Sequence, residues 1–449
     1  MADTDTIAAI ATPPGRGAIG VLRLSGPQAH AIGIRIAGRL GAPRRAVLRN
    51  FRDAGGERID QGLAVYFAAP HSYTGEDVVE LQGHGGPVVT GLLLEAAVAA
   101  GARPARPGEF SERAFLNGRL DLAQAEAVAD LVDSASRAAA RAAMRSLHGD
   151  FSKRVAALLD ELIALRADLE AALDFADEDV PWISDDTLHT RVTALVELGA
   201  MLLGEAAQGR RLREGLSVAI VGRPNAGKST LLNRLAGAEA AIVSPQPGTT
   251  RDLLREHILV DGLPLVVVDT AGLRETNDPV EQEGVKRAWE ALTKAELVLF
   301  LADDRNGVTA EDQALLARMP ENAEVLLLLN KCDLSGAPPA REEQAGRVLV
   351  RLSAATGAGL QLLREEIKRA AGLSEAGENL FSARARHLDA LQRAQSSLRL
   401  ARAHAARRAS PELIAEELRV AQLAFDEISG RFSSEDLLGR IFASFCIGK

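Results

Sequence analysis

The sequence predicts a chain of mixed α/β and all-α parts, in which a doubly wound nucleotide-binding domain is inserted into a helical one. Three observations carry this. Residues 222–229 read G-R-P-N-A-G-K-S and lie between the apolar run 218–221 and a helical pattern that opens at Thr230, which is strand, loop and helix in the order a phosphate-binding loop needs. Two further apolar runs, 265–268 and 325–329, each end in a polar motif, D-T-A-G at 269–272 and N-K-C-D at 330–333. Segments of helical periodicity flank this region at 120–214 and 373–444.

Taken in order, residues 1–118 form a mixed α and β domain. Residues 6–11 and 18–24 are β-type runs joined by P-P-G-R-G, a strong turn sequence. Further strands are expected at 62–68 and 77–82, and a helix at 87–100. The residues alone name no ligand here, and Arg23 and Glu80 read as surface charges at strand ends. From residue 120 the pattern becomes helical: Val155, Leu158, Leu159, Leu162 and Leu165 recur at three and four residue spacing, with Asp160, Glu161 and Arg166 on other faces. The second helical block breaks at Ser410-Pro411, where Ser410 can cap the next helix and Pro411 suits its first position. The economical architecture joins 119–214 and 373–449 into one discontinuous helical domain, with 215–372 inserted between them. Both ends of the insertion are then anchored in one bundle, a route by which nucleotide-driven movement can reach the rest of the molecule.

The inserted domain carries the chemistry. In the loop Asn225, Ala226, Gly227, Lys228, Ser229 and Thr230, successive N–H groups wrap phosphates, Lys228 reaches the terminal ones and the Ser229 hydroxyl meets Mg²⁺. Ligands of a parallel sheet collect at the carboxyl ends of its strands, which brings all three motifs to one rim. Asp269 would then hold Mg²⁺, and the N–H of Gly272, beyond Thr270 and Ala271, would face the γ-phosphate. A carboxylate accepts from both N–H groups of guanine but not from adenine, so Asp333, with Asn330, makes this a GTP site. Lys331 covers the ring, and Ser353, Ala354 and Ala355, after the strand at 347–352, complete the pocket. Together these motifs describe a P-loop GTPase domain of Ras-like type.

The hydrolytic apparatus departs from that type. Small signalling GTPases place a water-orienting Gln after D-x-x-G, whereas this sequence has Leu273. Asn225 and the stretch S-P-Q-P-G-T-T-R-D at 244–252 offer oxygen ligands for a monovalent cation where an arginine finger would otherwise act. Thr250 is the natural switch threonine for Mg²⁺ and γ-phosphate, and Thr249 can turn toward the cation.

The phosphate loop with Asn225, G-T-T-R-D, D-T-A-G-L-R-E, N-K-C-D and the terminal F-C-I-G-K resemble the MnmE (TrmE) family of tRNA uridine 5-carboxymethylaminomethyl modification GTPases, over residues 6–449. The resemblance implies a potassium-dependent GTPase, a homodimer that also pairs across its nucleotide sites. It implies that Glu281 orients the attacking water through a bridging water, and that Ser244 and Gln246 supply carbonyl ligands to K⁺ alongside Asn225 and Thr249. Pro245 and Pro247, ahead of Gly248, depart from the family pattern and stiffen this loop. The amino-terminal domain is similar to tetrahydrofolate-binding domains, so that Arg23 would pair with a folate carboxylate and Glu80 with the pterin. Arg119 stands where relatives often carry Lys, which keeps the charge and alters the donor geometry. In the family the carboxyl-terminal tail reaches the folate site, which makes Lys449 a folate contact and Cys446 a candidate for chemistry. The resemblance also implies a flavin-containing partner of the MnmG (GidA) type in a heterotetramer or larger complex. The FAD belongs to that partner, and 5-formyl- or 5,10-methylenetetrahydrofolate supplies the carbon added to wobble uridine. A ribosome-assembly GTPase of the Era kind and a GTP-gated scaffold without modification chemistry are the alternatives; folate binding separates the first reading from both.

Composition agrees. A net charge of −9 does not advertise a polyanion partner, so tRNA contact must be local, and the Arg-rich stretches at 137–154 and 384–408 read as solvated helix faces. Two cysteines argue against a disulfide framework, and Cys332 reads as structural. The start M-A-D-T-D-T has no basic region before an apolar core, and no apolar run approaches the roughly 18 residues of a membrane helix. The expectation is a soluble, cytoplasmic protein.

Overall fold

The computed structural model describes residues 5–174, 184–237, 255–269, 286, 289–290, 292–320, 323–344, 346–372, 380–430, 435–443 and 445–448. The chain divides into two compact units, Met1–Ala129 with Leu147–Val192 and Ser396–Lys449, and Asp130–Ser146 with Thr193–Gln395. Among the described residues no helix is long and apolar enough to cross a membrane.

The first unit opens with β1 (Ile7–Ile10), β2 (Gly17–Ser25), α1 (Ala29–Ala37), β3 (Val47–Arg52), β4 (Arg58–Phe67), β5 (Val78–Gly85), α2 (Pro87–Ala99), β6 (Arg103–Pro104) and α3 (Glu109–Leu116). The strands form one sheet in the order β3-β4-β5-β2-β1-β6. Alternating side chains of β2 and β5 turn Leu22, Leu24, Val79 and Leu81 onto α1 and α2, whose Ile32, Ile36, Leu93 and Ala97 close the core. The same alternation leaves Arg23 and Glu80 directly opposite each other on neighbouring strands. The expected elements are all present, with β4 starting four residues before the expected 62 and β5 running three past 82. Sequence patterning had not singled out α1, β3, β6 or α3. The β3 strand, V-L-R-N-F-R, is an edge with alternating exposure whose apolar residues fall on both faces, and α3 carries a buried Glu109–Arg113 ion pair. On α3, the nearly fully buried Glu109 takes Arg103 at 2.6 Å and Arg113 at 3.2 Å. Burial alone would raise its carboxyl, but the guanidinium of Arg103, the Arg106 N–H and Arg113 hold it below the usual range.

Helices α4 (Leu122–Val132), α5 (Arg137–Leu147), α6 (Asp150–Asp174) and α7 (Asp185–Glu214) follow. The apolar stripe read from the sequence is the buried face of α6: Val155, Leu158, Leu159, Leu162 and Leu165 are all buried.

The second unit carries β7 (Leu216–Gly222), α8 (Lys228–Ala236), β8 (Arg255–Val260), β9 (Leu263–Asp269), β10 (Leu297–Asp303), α9 (Ala310–Leu316), β11 (Glu324–Asn330), α10 (Cys332–Ser335), β12 (Ala340–Gln344), β13 (Arg347–Leu352) and α11 (Leu360–Ala370). Its sheet runs β12-β13-β11-β10-β7-β9-β8. Strands β9, β7, β10, β11 and β13 are parallel, and β8 and β12 are antiparallel edges. Burial on both faces explains why β10 and β11 read L-V-L-F-L-A-D and E-V-L-L-L-L-N rather than alternating. The strand expected at 347–352 is β13 to the residue. Helix α8 begins at Lys228, two residues before the expected Thr230, because Gly227 at φ 103° turns the chain directly into the helix.

Beyond the insertion lie α12 (Ala385–Ala406), α13 (Pro411–Ser429) and α14 (Glu435–Ala443). Pro411 does open α13, but Ser410 makes no side-chain cap: its hydroxyl binds the Glu412 carboxylate instead. Within the second unit, the entry to and exit from the insertion meet at one carboxylate. Asp130 near the end of α4 accepts from Arg213 Nε at 2.7 Å, Arg384 Nη2 at 2.7 Å and Ser382 Oγ at 2.6 Å. Arg213 lies in the last turn of α7, just ahead of β7, and Ser382 and Arg384 precede α12.

Candidate functional site

The carboxyl ends of the parallel strands bring Gly222, Asp269, Asp303, Asn330 and Leu352 to one rim, as the motif spacing required. The phosphate loop rests on this rim with two close backbone approaches. A Cβ at Gly222 would stand 2.4 Å from the Leu301 carbonyl oxygen, and one at Gly227 would stand 2.2 Å from Asn330 Nδ2. Asn225 adopts φ 58° at the exposed crest of the loop, the left-handed region that Asn tolerates better than most residues. Lys228 folds its ammonium back over the loop, donating to the carbonyls of Gly222 at 2.8 Å and Arg223 at 3.0 Å. Ser229 and Thr230 are exposed in the first turn of α8, where the N–H groups of a helix start and the dipole favour an anion. The loop therefore fits the phosphates of a nucleotide, and the Ser229 hydroxyl stands where a phosphate-bound Mg²⁺ would meet it.

Around the base-recognition motifs the structure adds what the sequence did not disclose. The side chain of Asn330 is buried and committed on both sides: Nδ2 donates to the Ala226 carbonyl at 2.7 Å, and Oδ1 accepts from the Ala354 N–H at 2.9 Å. It thereby stitches the phosphate loop to the loop carrying Ser353, Ala354 and Ala355. Arg234 on α8 makes a second tie, donating to the Ala355 carbonyl at 2.6 Å. Ser353 is fully buried, and its Oγ accepts from the Thr356 N–H at 3.2 Å, closing the turn. Lys331 takes the left-handed conformation at φ 73°, and Cys332 is the buried first residue of the short helix α10, followed by the exposed Asp333. Burial first, then the carboxylates of Asp304 and Asp333, push the Cys332 thiol up, which suits its structural reading. The Lys331 ammonium is held at 2.8 Å by Asp303, which also binds Arg305 at 2.7 Å. Arg305 first, and Lys331 with it, hold the Asp303 carboxyl well below the usual carboxylate range. Neither Arg234 nor Asp303 was singled out from the sequence. The Asp303-Asp304 pair closing an apolar strand was the available signal for one of them.

Several sequence-derived candidates lie outside the described residues: Ser244, Pro245, Gln246, Pro247, Gly248, Thr249, Thr250, Thr270, Ala271, Gly272, Glu281 and Lys449. Of Asp269 the backbone is described, at the end of β9. Among the described residues no cluster of three or more His, Cys, Asp or Glu side chains could hold a metal by itself.

In the first unit, Arg23 and Glu80 are brought together as a pair at 2.9 Å rather than standing as separate surface charges. The guanidinium lies 5.6 Å from the Tyr73 ring centroid and 5.8 Å from that of Phe110. It also donates to the Gly448 carbonyl at 3.3 Å, so the carboxyl-terminal tail reaches this cluster. Gly448 fits there because it has no side chain; a Cβ would stand 2.6 Å from the Ile10 carbonyl oxygen. Cys446 is exposed, two residues before that contact. Arg119 is exposed in the loop after α3, with its stem against Gly75.

Comparison with known proteins spans the whole chain. Residues 6–119 match the family described as GTP-binding protein TrmE N-terminus, and residues 122–446 match the family described as MnmE helical domain. The chain is 52% identical over 446 residues to the tRNA modification GTPase MnmE of Nitrosococcus oceani, covering 99% of this chain and 97% of that one. The MnmE of Methylococcus capsulatus is also 52% identical, over 100% of this chain and 99% of its own length. Among solved structures, a point variant of Aquifex aeolicus Era bound to GDP.AlF4- is 27% identical, covering 41% of this chain and 67% of its own, with a TM-score of 0.28.

Proposed function

The chain belongs to the MnmE family of tRNA modification GTPases, and from that membership we propose that it hydrolyses GTP in the service of tRNA modification. The observation that carries this is similarity along the full length, so that the nucleotide loops are not borrowed by an unrelated architecture. The match of residues 6–119 to the TrmE amino terminus favours this reading over a ribosome-assembly GTPase, which would need an RNA-binding appendage there.

In the proposed mechanism, the N–H groups of Asn225, Ala226, Gly227 and Lys228 wrap the phosphates, and the Lys228 ammonium exchanges its loop carbonyls for phosphate oxygens. Asn330 keeps the phosphate and base loops in register, and Asp333 accepts from the two N–H groups of guanine. Ser229, Thr250 and Asp269 would hold Mg²⁺. Asn225, Ser244, Gln246 and Thr249 would hold K⁺, and these cations would supply charge stabilisation to the transferring phosphoryl group. Glu281 would orient the attacking water through a bridging water, in the absence of a Gln at Leu273.

The finer assignment extends to the rest of the molecule. We divide the chain into a dimerising folate-binding-like domain at 1–118, a discontinuous helical domain at 119–214 and 373–449, and a GTPase domain at 215–372. The chain would act as a homodimer with an MnmG-type, FAD-containing partner on wobble uridine of tRNA, a tetrahydrofolate supplying the one-carbon unit. Arg23, Glu80, Arg119 and Lys449 would bind the folate, with Cys446 close to the reacting carbon. What supports this is the half-buried edge formed by the Arg23–Glu80 pair, two aromatic rings and the tail at Gly448. Calorimetric titration with 5-formyltetrahydrofolate tests it. The wild-type chain should bind saturably, and Arg23→Ala and Glu80→Ala should each weaken binding by on the order of tenfold or more, because a charge-assisted hydrogen bond contributes roughly 1.5–3 kcal/mol. Heat flow identical to buffer dilution in the wild type would remove the folate assignment.

A further inference from the structure

The end of β10 carries two adjacent carboxylates, and each is tied to a different part of the base-recognition apparatus. Asp304, its side chain nearly fully buried, donates its N–H to the Asn330 carbonyl at 2.8 Å and accepts from Arg351 Nε at 3.0 Å. Its second oxygen accepts from the Ser335 hydroxyl, at the far end of the short helix that presents Asp333. Arg351 lies two residues before Ser353, so Asp304 fixes the spacing between the loop of Asn330 to Ser335 and the loop of Ser353 to Ala355. With that frame set, the neighbouring Asp303 holds the Lys331 ammonium at 2.8 Å through Oδ2, and Arg305 steadies the carboxylate by binding both of its oxygens.

We propose that Asp303 is a positioning residue for guanine recognition, acting through Lys331. A lysine stem is long and rotamer-rich, and covering an aromatic base requires its methylenes to stay in one orientation. The left-handed backbone at Lys331 is disfavoured for a non-glycine residue, so the loop is already held in a sparsely populated conformation. That backbone aims the side chain, and the carboxylate of Asp303 fixes its far end; between these two points the stem has little freedom left. The half-buried ammonium at 24% exposure and the carboxylate at 16% are shielded enough for the pair to persist, unlike a fully solvated surface pair.

The inference rests on the guanine-site reading, and a double-mutant cycle on the dissociation constant of a fluorescent GDP separates the two. Wild-type chain should prefer GDP to ADP; equal affinity would overturn the guanine reading and this inference with it. Given that preference, Asp303→Asn should weaken GDP binding by about tenfold, and Lys331→Ala by a similar or larger factor. The double variant should bind within about twofold of Lys331→Ala alone, since residues acting as one unit are non-additive. Asp303→Glu, which keeps the charge, should recover most of the loss. A purely structural carboxylate predicts additive losses in the cycle, and that result overturns the proposal. Tighter binding in Asp303→Asn would also overturn it, because the carboxylate would then be holding Lys331 away from the base.

Discussion

Asp333→Asn is expected to exchange the guanine preference of this chain for xanthine, lowering kcat/KM for GTP on the order of 10³-fold while creating turnover of XTP. In the proposed site the carboxylate would accept two N–H donors of guanine, whereas an amide presents one acceptor and one donor, so GTP would meet an N–H facing an N–H. Losing one charge-assisted hydrogen bond of roughly 1.5–3 kcal/mol, reducing the other to a neutral bond, and setting an unmatched donor against the base together give an effect of that size. Xanthine carries a carbonyl where guanine carries its amino group, and it matches the amide. The frame that presents Asp333 should survive the change. Asp333 is exposed, and its helix is held by buried Cys332, by the Ser335 contact to Asp304 and by Gly336 at φ 76°. Competition between GTP and XTP in steady-state hydrolysis checks this, and a variant retaining full GTP selectivity contradicts the assignment.

Glu281→Ala should abolish most hydrolysis while leaving GDP and GTP affinity within a few fold. With Leu273 in the position where a water-orienting Gln would stand, the chain has to place its nucleophile by other means. A positioned proton-accepting group contributes typically 10²–10⁴-fold, and kcat should fall within that range. Because the residue is proposed to touch only water, the loss should appear in kcat rather than in KM or in the affinity for a non-hydrolysable analogue. Single-turnover hydrolysis beside equilibrium binding separates the two quantities. Unchanged turnover would remove Glu281 from the mechanism.

How much was legible in the sequence depended on whether the signal was local. Strand β13 was read to the residue and β7, β9 and β11 to within two residues at either end, because continuous apolar runs end in motifs that mark the sheet's rim. The buried stripe of α6 was legible for the same reason: period and burial coincide. Helix α8 was placed two residues late, since Lys228 and Ser229 were assigned to the loop by their chemistry, whereas the positive φ of Gly227 had already started the helix. The cap at Ser410 failed because a nearby carboxylate, Glu412, competes for the hydroxyl. Long-range polar ties were out of reach altogether. Asp130 meets Arg213, Ser382 and Arg384 across 83, 252 and 254 positions of sequence, and Asn330 reaches Ala226 across 104. Only the fold brings such groups together. Likewise, Arg23 and Glu80 had been read as solvated charges from the residues alone, and it is the antiparallel register of β2 and β5 that makes them a pair.

Central to the proposed mechanism is GTP hydrolysis with a bound monovalent cation where an arginine finger would otherwise act. Steady-state GTP hydrolysis by the full chain in KCl and in NaCl at equal ionic strength tests it directly. Turnover should be at least severalfold faster in K⁺, with the difference lost in Asn225→Ala. Equal rates in the two salts would contradict it and require another group to supply the charge at the phosphates.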